Sequence, residues 1–167
     1  MTTVEFFVRY IGKGIFILPY FFILVGLSGC TPPQQWVLTK IRTSSELADV
    51  NRITVSVGSD GGAITLEVRS ENAYPVLYCS RATQTFKPLR GDSTLCEVTF
   101  STSSETHRTI AHRLKGGQRL KLDTSTLEFL FNTLATDQPC HLVTGDEKIT
   151  IPSRAFSRNY SRIAPKT

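Results

Sequence analysis

Cys140 and His141 are neighbours in the chain, and a thiol beside an imidazole is the pairing that thiol-dependent hydrolysis uses. In a strand, however, adjacent side chains point to opposite faces, so adjacency works against direct contact. His107 and His112 lie five residues apart and fall on opposite strand faces by the same alternation. Neither pair has metal-ligand spacing: the chain contains no C-x-x-C and no H-E-x-x-H. It also contains no G-x-S-x-G and no Walker loop. Asp60, Glu67 and Asp146 fall in turn-like or strand-surface positions, where solvated charge is the ordinary role. His112 shares strand parity with Ile110 and Leu114, which predicts a core histidine bonded to a carbonyl. These residues supply no catalytic group and no metal ligand, and they point to a non-enzymatic protein. If the chain were an enzyme, Cys140 would be its nucleophile.

Cys30 stands in a different context. Arg9 and Lys13 face a single acid, Glu5, in the first fourteen residues, and an apolar run of thirteen follows from Ile15 to Leu27. That run is too short to cross ~30 Å of hydrocarbon as a helix, and it contains Pro19, but it has the size of a secretory-signal core. It ends in Leu27-Ser28-Gly29-Cys30, which resembles the lipobox of bacterial lipoproteins. The resemblance implies a diacylglycerol joined to the Cys30 thiol and cleavage before it. Residues 1–29 are then the signal peptide, and Cys30 opens the mature chain. Two or three acyl chains anchor a protein stably where one is marginal. Thr31 stands where an aspartate would favour inner-membrane retention in that family, so the implied location is the inner leaflet of the outer membrane, facing the periplasm. The lipid is the one attached group expected, with no other cofactor.

The rest of the chain must form whatever that anchor carries. Residues 30–35 read as an extended tether, and residues 36–153 as a single β-rich domain. Ile53, Val55 and Val57 alternate with polar residues, as do Ile64, Leu66 and Val68 beyond a glycine-rich turn, so the two runs predict a hairpin with one buried face. Further strands are expected over 76–80 and 95–101. Hairpins are expected for 107–114 with 118–122, through Gly116-Gly117, and for 140–143 with 148–151. An edge strand is expected over 36–41 and a short helix over 44–50. Leu127, Leu130, Phe131 and Leu134 keep helical spacing after a Ser125/Glu128 capping box, which predicts one packed helix over about 126–135. The fold expected is mostly β, a sandwich or partly open barrel of eight or nine short strands. An α+β sheet with the helix across one face is the alternative.

Cys79, Cys96 and Cys140 allow one disulfide in an oxidising compartment, and Cys79–Cys96 is the favoured pair. Charge is placed unevenly. Residues 30–153 hold 13 basic and 13 acidic side chains, while residues 154–167 hold Arg154, Arg158, Arg162 and Lys166 with no acid. This basic tail could form an amphipathic helix that reaches lipid phosphates or an acidic partner. Nucleic acid is not an expected partner, because export removes the chain from it. The function expected is a binding or assembly module for an envelope complex, such as a secretion or pilus machine. The alternative is a small-ligand or envelope-polymer carrier with a pocket near Phe129 and Phe131.

Overall fold

The computed structural model describes residues 34–41, 50–58, 63–72 and 74–163. The leader, Cys30, residues 44–49 of the helix expected over 44–50, the 59–62 turn and Lys166 lie outside the described residues, and Val50, the last residue of that expected helix, is the first residue of a strand. Among the described residues nine strands form one antiparallel sheet. They are β1 (Val37–Ile41), β2 (Val50–Val57), β3 (Ile64–Glu71), β4 (Tyr74–Arg81), β5 (Leu95–Ser101), β6 (Thr106–Arg113), β7 (Arg119–Lys121), β8 (Cys140–Thr144) and β9 (Glu147–Ile151). Their order across the sheet is β1-β2-β3-β4-β7-β6-β5-β8-β9. The mostly β class read from the sequence is therefore the class observed.

The period-two runs explain the first half. Ile53, Val55 and Val57 lie opposite Val68, Leu66 and Ile64, and all six are buried on one face. Their polar neighbours face outward, where the Ser56 and Thr65 hydroxyls pair at 3.0 Å. The sheet then leaves chain order. After β6 the chain reverses through Gly116 and Gly117, both at positive φ, and the short β7 bonds to β4 on its other side.

The order across the sheet also settles the thiols. Cys79 lies on β4 and Cys96 on β5, with β7 and β6 between them. Three strand spacings are roughly 14 Å along the sheet, whereas a disulfide requires Cα atoms about 4.4–6.8 Å apart. The expected bridge is absent: Cys79, Cys96 and Cys140 are all free and all buried.

Helix α1 (Thr124–Ala135) packs Thr126, Leu127, Phe129, Leu130, Thr133 and Leu134 inward. Its cap is Asp123 and not Ser125. The Asp123 carboxylate accepts from the Thr126 N–H at 2.9 Å and from the Thr126 hydroxyl, and the Ser125 hydroxyl donates to its second oxygen at 3.0 Å. Asp123 has extended φ/ψ, as an N-cap requires, and it follows β7 through Leu122, whose N–H still bonds to Leu77 O.

A second helix, α2 (Phe156–Tyr160), forms within the segment read as a tail, and Phe156 is fully buried. It meets the start of β1. Trp36 donates its backbone N–H to Arg154 O at 3.2 Å and its indole N–H to Pro152 O at 2.8 Å. Asn159, also buried, donates from Nδ2 to Trp36 O at 2.7 Å. The Trp36 ring lies edge-on to Phe156 at 4.9 Å. Among the described residues no ladder joins β1 to β9, so the sheet is open, and Trp36 ties its first edge to the chain leaving its last.

Candidate functional site

The outer face of the sheet carries the densest cluster of charged side chains among the described residues. Glu67, Arg69 and Glu71 alternate with the core residues of β3 and so project outward, as do Tyr78 of β4 and Arg119 and Lys121 of β7. The register sets Tyr78 directly between Glu67 and Lys121. Arg119 reaches Glu67 at 3.2 Å, with Arg52 of β2 at 4.0 Å. Glu71 accepts from Arg69 (Nε at 2.6 Å), from the Tyr78 hydroxyl at 2.7 Å and from Lys121 at 3.3 Å. Burial opposes ionisation of Glu71, but bonds from Tyr78, Arg69 and Lys121 outweigh it and hold its pKa below the ordinary carboxylate value.

Cations cover the Tyr78 ring. The Arg119 guanidinium sits 4.2 Å from the ring centroid, that of Arg69 4.6 Å and the Lys121 ammonium 6.0 Å. A tyrosine on the outer face is thereby left only 4% exposed. Four cations meet two carboxylates here, so the patch is basic on balance.

A cleft opens beside this patch. Because β7 is three residues long, β4 and β6 diverge where the chain turns away toward Asp123. The space left is about 320 Å³, lined by Pro75, Val76, Ile110, His112, Lys121 and Thr124. Two apolar side chains stand out on the same face, Tyr74 at 72% exposure and Ile110 at 44%.

His112 belongs to this exposed face, against the expectation of a core histidine. On β6 the inward residues are Thr109 and Ala111, with His107 on the same side. Small side chains suffice there because Phe129 of α1 fills the space and stacks on the His107 ring at 5.2 Å. His107 Nε2 and the Thr126 hydroxyl lie 3.1 Å apart. Of the two residues expected to border a pocket, Phe129 is buried and Phe131 is partly exposed. Phe131 sits at the margin against Tyr160 at 4.9 Å.

Cys140 and His141 do not form a dyad. Cys140 is wholly buried, and burial pushes its thiol up to about 12, while His141 faces the other way and its Nδ1 lies 3.2 Å from the Thr150 hydroxyl. Burial likewise raises the Cys79 and Cys96 thiols. A thiol reagent added to the native protein should therefore react with these three several thousandfold more slowly than after unfolding, on the scale of a domain opening that costs about 5 kcal/mol. Stoichiometry in denaturant carries a second result: three thiols for a chain acylated at Cys30, four for one that is not. Rapid native reaction of any of the three would contradict the packing.

Of the basic residues singled out in the sequence, Arg154, Arg158 and Arg162 are exposed on and around α2. The Tyr78 cluster escaped sequence reading, although Glu67, Arg69 and Glu71 alternating on one strand face were visible. Their partners come from β4 and β7, which the chain brings together only by folding. No protein-family model, curated protein or solved structure matches this chain.

Proposed function

We propose that the chain is an envelope lipoprotein anchored through Cys30, whose β-rich domain is a non-enzymatic binding or assembly module facing the periplasm. The anchor rests on the Leu27-Ser28-Gly29-Cys30 sequence and the apolar run before it. The observation that carries the binding role is the Tyr74–Val76–Ile110 strip. Tyr74 and Ile110 are exposed and Val76 is half-buried on one face of the sheet, and Val76 and Ile110 line the cleft. Tyrosine and arginine are the residues that dominate protein interfaces, and exposed apolar side chains grouped beside a cleft suit burial by a partner.

The test is photo-crosslinking in intact cells from a reactive residue placed at Tyr74, with captured neighbours identified by mass spectrometry. One stoichiometric envelope complex is expected, and Ile110→Glu should abolish its capture without unfolding a side chain that is already exposed. Capture of only abundant bystanders, equal in both proteins, would sink the assembly reading. The cleft favours a second reading in that event, because about 320 Å³ lies at the small end of ligand sites, with His112, Lys121 and Thr124 as polar groups for a small ligand or envelope polymer.

A further inference from the structure

The basic C-terminal segment is not a free arm. Trp36 holds it through the hydrogen bonds to Arg154 O and Pro152 O and the bond from Asn159 Nδ2, and the Trp36 ring packs on Phe156. Phe156, Asn159 and Ile163 are buried, which leaves Arg154, Arg158 and Arg162 outward together with Ser157 and Ser161. Among the described residues no carboxylate lies within ion-pair distance of these three arginines. None of the three arginines is therefore held in an ion pair within the described fold, and the acid acting on this end of the domain is Glu128 of α1: burial and then this carboxylate raise the pKa of Tyr160.

The residue that holds this patch is also the residue where the tether ends. Cys30 and Trp36 are six residues apart in the chain, a reach of at most about 20 Å even when fully extended. We infer that Arg154, Arg158 and Arg162 form a membrane-contact face, which lies on the anionic phospholipid headgroups of the leaflet that holds the Cys30 lipid. The inference rests on the Cys30 anchor of the proposed function. An acyl chain alone fixes only distance from the bilayer; the arginine face adds orientation. The α2 end of the domain rests on the lipid, and the β8–β9 turn at Gly145-Asp146, at the far end of β9 from Pro152, points away. Basic side chains near a negative surface add to lipid anchoring over about a Debye length, and a second signal of this kind is what firms up an acyl anchor.

The experiment uses the full chain, purified as made by its host and placed in phosphatidylcholine vesicles with or without phosphatidylglycerol. A fluorophore is attached at Ser157→Cys or at Asp146→Cys, both exposed positions, while the three native thiols of the domain are buried. A headgroup-level quencher then reports proximity, and mass spectrometry of the same sample reports the lipid on Cys30. The expected result is several-fold stronger quenching at Ser157 than at Asp146 in phosphatidylglycerol vesicles. The difference should shrink in high salt and in the R158E/R162E variant. Equal quenching at the two sites in a protein that carries its lipid would overturn the membrane-contact face and leave the anchor standing. A Cys30 without lipid would overturn the anchor, and the inference with it.

Discussion

Trp36→Ala should lower the unfolding free energy of the full chain by about 4 kcal/mol, read from the midpoint shift in chemical denaturation. The side chain is buried to 1% exposure, and its loss leaves a cavity against Phe156. It also orphans Pro152 O, which accepts the indole N–H. Against a total stability of about 5–15 kcal/mol, that loss can unfold the domain at physiological temperature. Trp36→Phe keeps most of the apolar volume and loses the indole bond, so it should cost clearly less, about 1–2 kcal/mol. Asn159→Ala tests the same tie from the other side. It leaves Trp36 O without its side-chain donor and should cost about 1–3 kcal/mol. A Trp36→Ala protein within about 1 kcal/mol of the parent would show that the sheet does not depend on this tie.

Tyr78→Ala should cost about 3 kcal/mol, at the lower end for loss of a buried ring because the covering Arg69, Arg119 and Lys121 side chains can fold into the space. Tyr78→Phe separates ring from hydroxyl. It keeps the surface on which the cations rest and removes the bond to Glu71, a charge-assisted hydrogen bond contributing about 1.5 kcal/mol. The sign of the pH dependence follows from Glu71, whose pKa is lowered in the folded protein. Its contribution is complete above the unfolded carboxylate value and is lost as pH falls through the lower folded value. In Tyr78→Phe the folded pKa moves back toward the ordinary value, so less stability is left to lose on the acid side. Unfolding midpoints from about pH 6 to pH 3 should therefore converge between the two proteins. Parallel curves would mean that the hydroxyl does not act through Glu71.

Local patterns in the sequence carried the fold further than the site. The β2–β3 hairpin follows from strict alternation about a turn, and the β8–β9 hairpin from a second turn with Gly145 at positive φ. The helix was placed within two residues. Its cap was misread because Asp123 and Ser125 are both good capping residues, and only the extended backbone at Asp123 decides between them. The parity of β6 was misread for a different reason. Ile110 looks like a core residue by type, but the space inside that strand is taken by Phe129, so the strand turns its small residues inward.

The site was the least legible part. Glu67, Arg69 and Glu71 share a strand, but Tyr78 comes from its neighbour and Arg119 and Lys121 from a strand about fifty residues on. Nothing in the alternation of β7 tells that it will lie against β4. The same insertion explains the missing disulfide, since it separates two cysteines that are close in sequence.

The tie at Trp36 also bears on when the protein becomes folded. Trp36 and Pro152 are 116 residues apart, and Trp36 and Asn159 are 123 apart. A chain emerging from its N-terminal end has no partner for the Trp36 indole until a further 116 residues have emerged, and β4 likewise waits for β7. Folds dominated by such distant pairings are slow, because the entropy of closing the loop is lost before the contacts form. The domain is therefore completed late and as a unit. For a chain proposed to cross a membrane before it folds, this delay is useful: the emerging polypeptide stays threadable until Pro152 and Asn159 have followed Trp36 through.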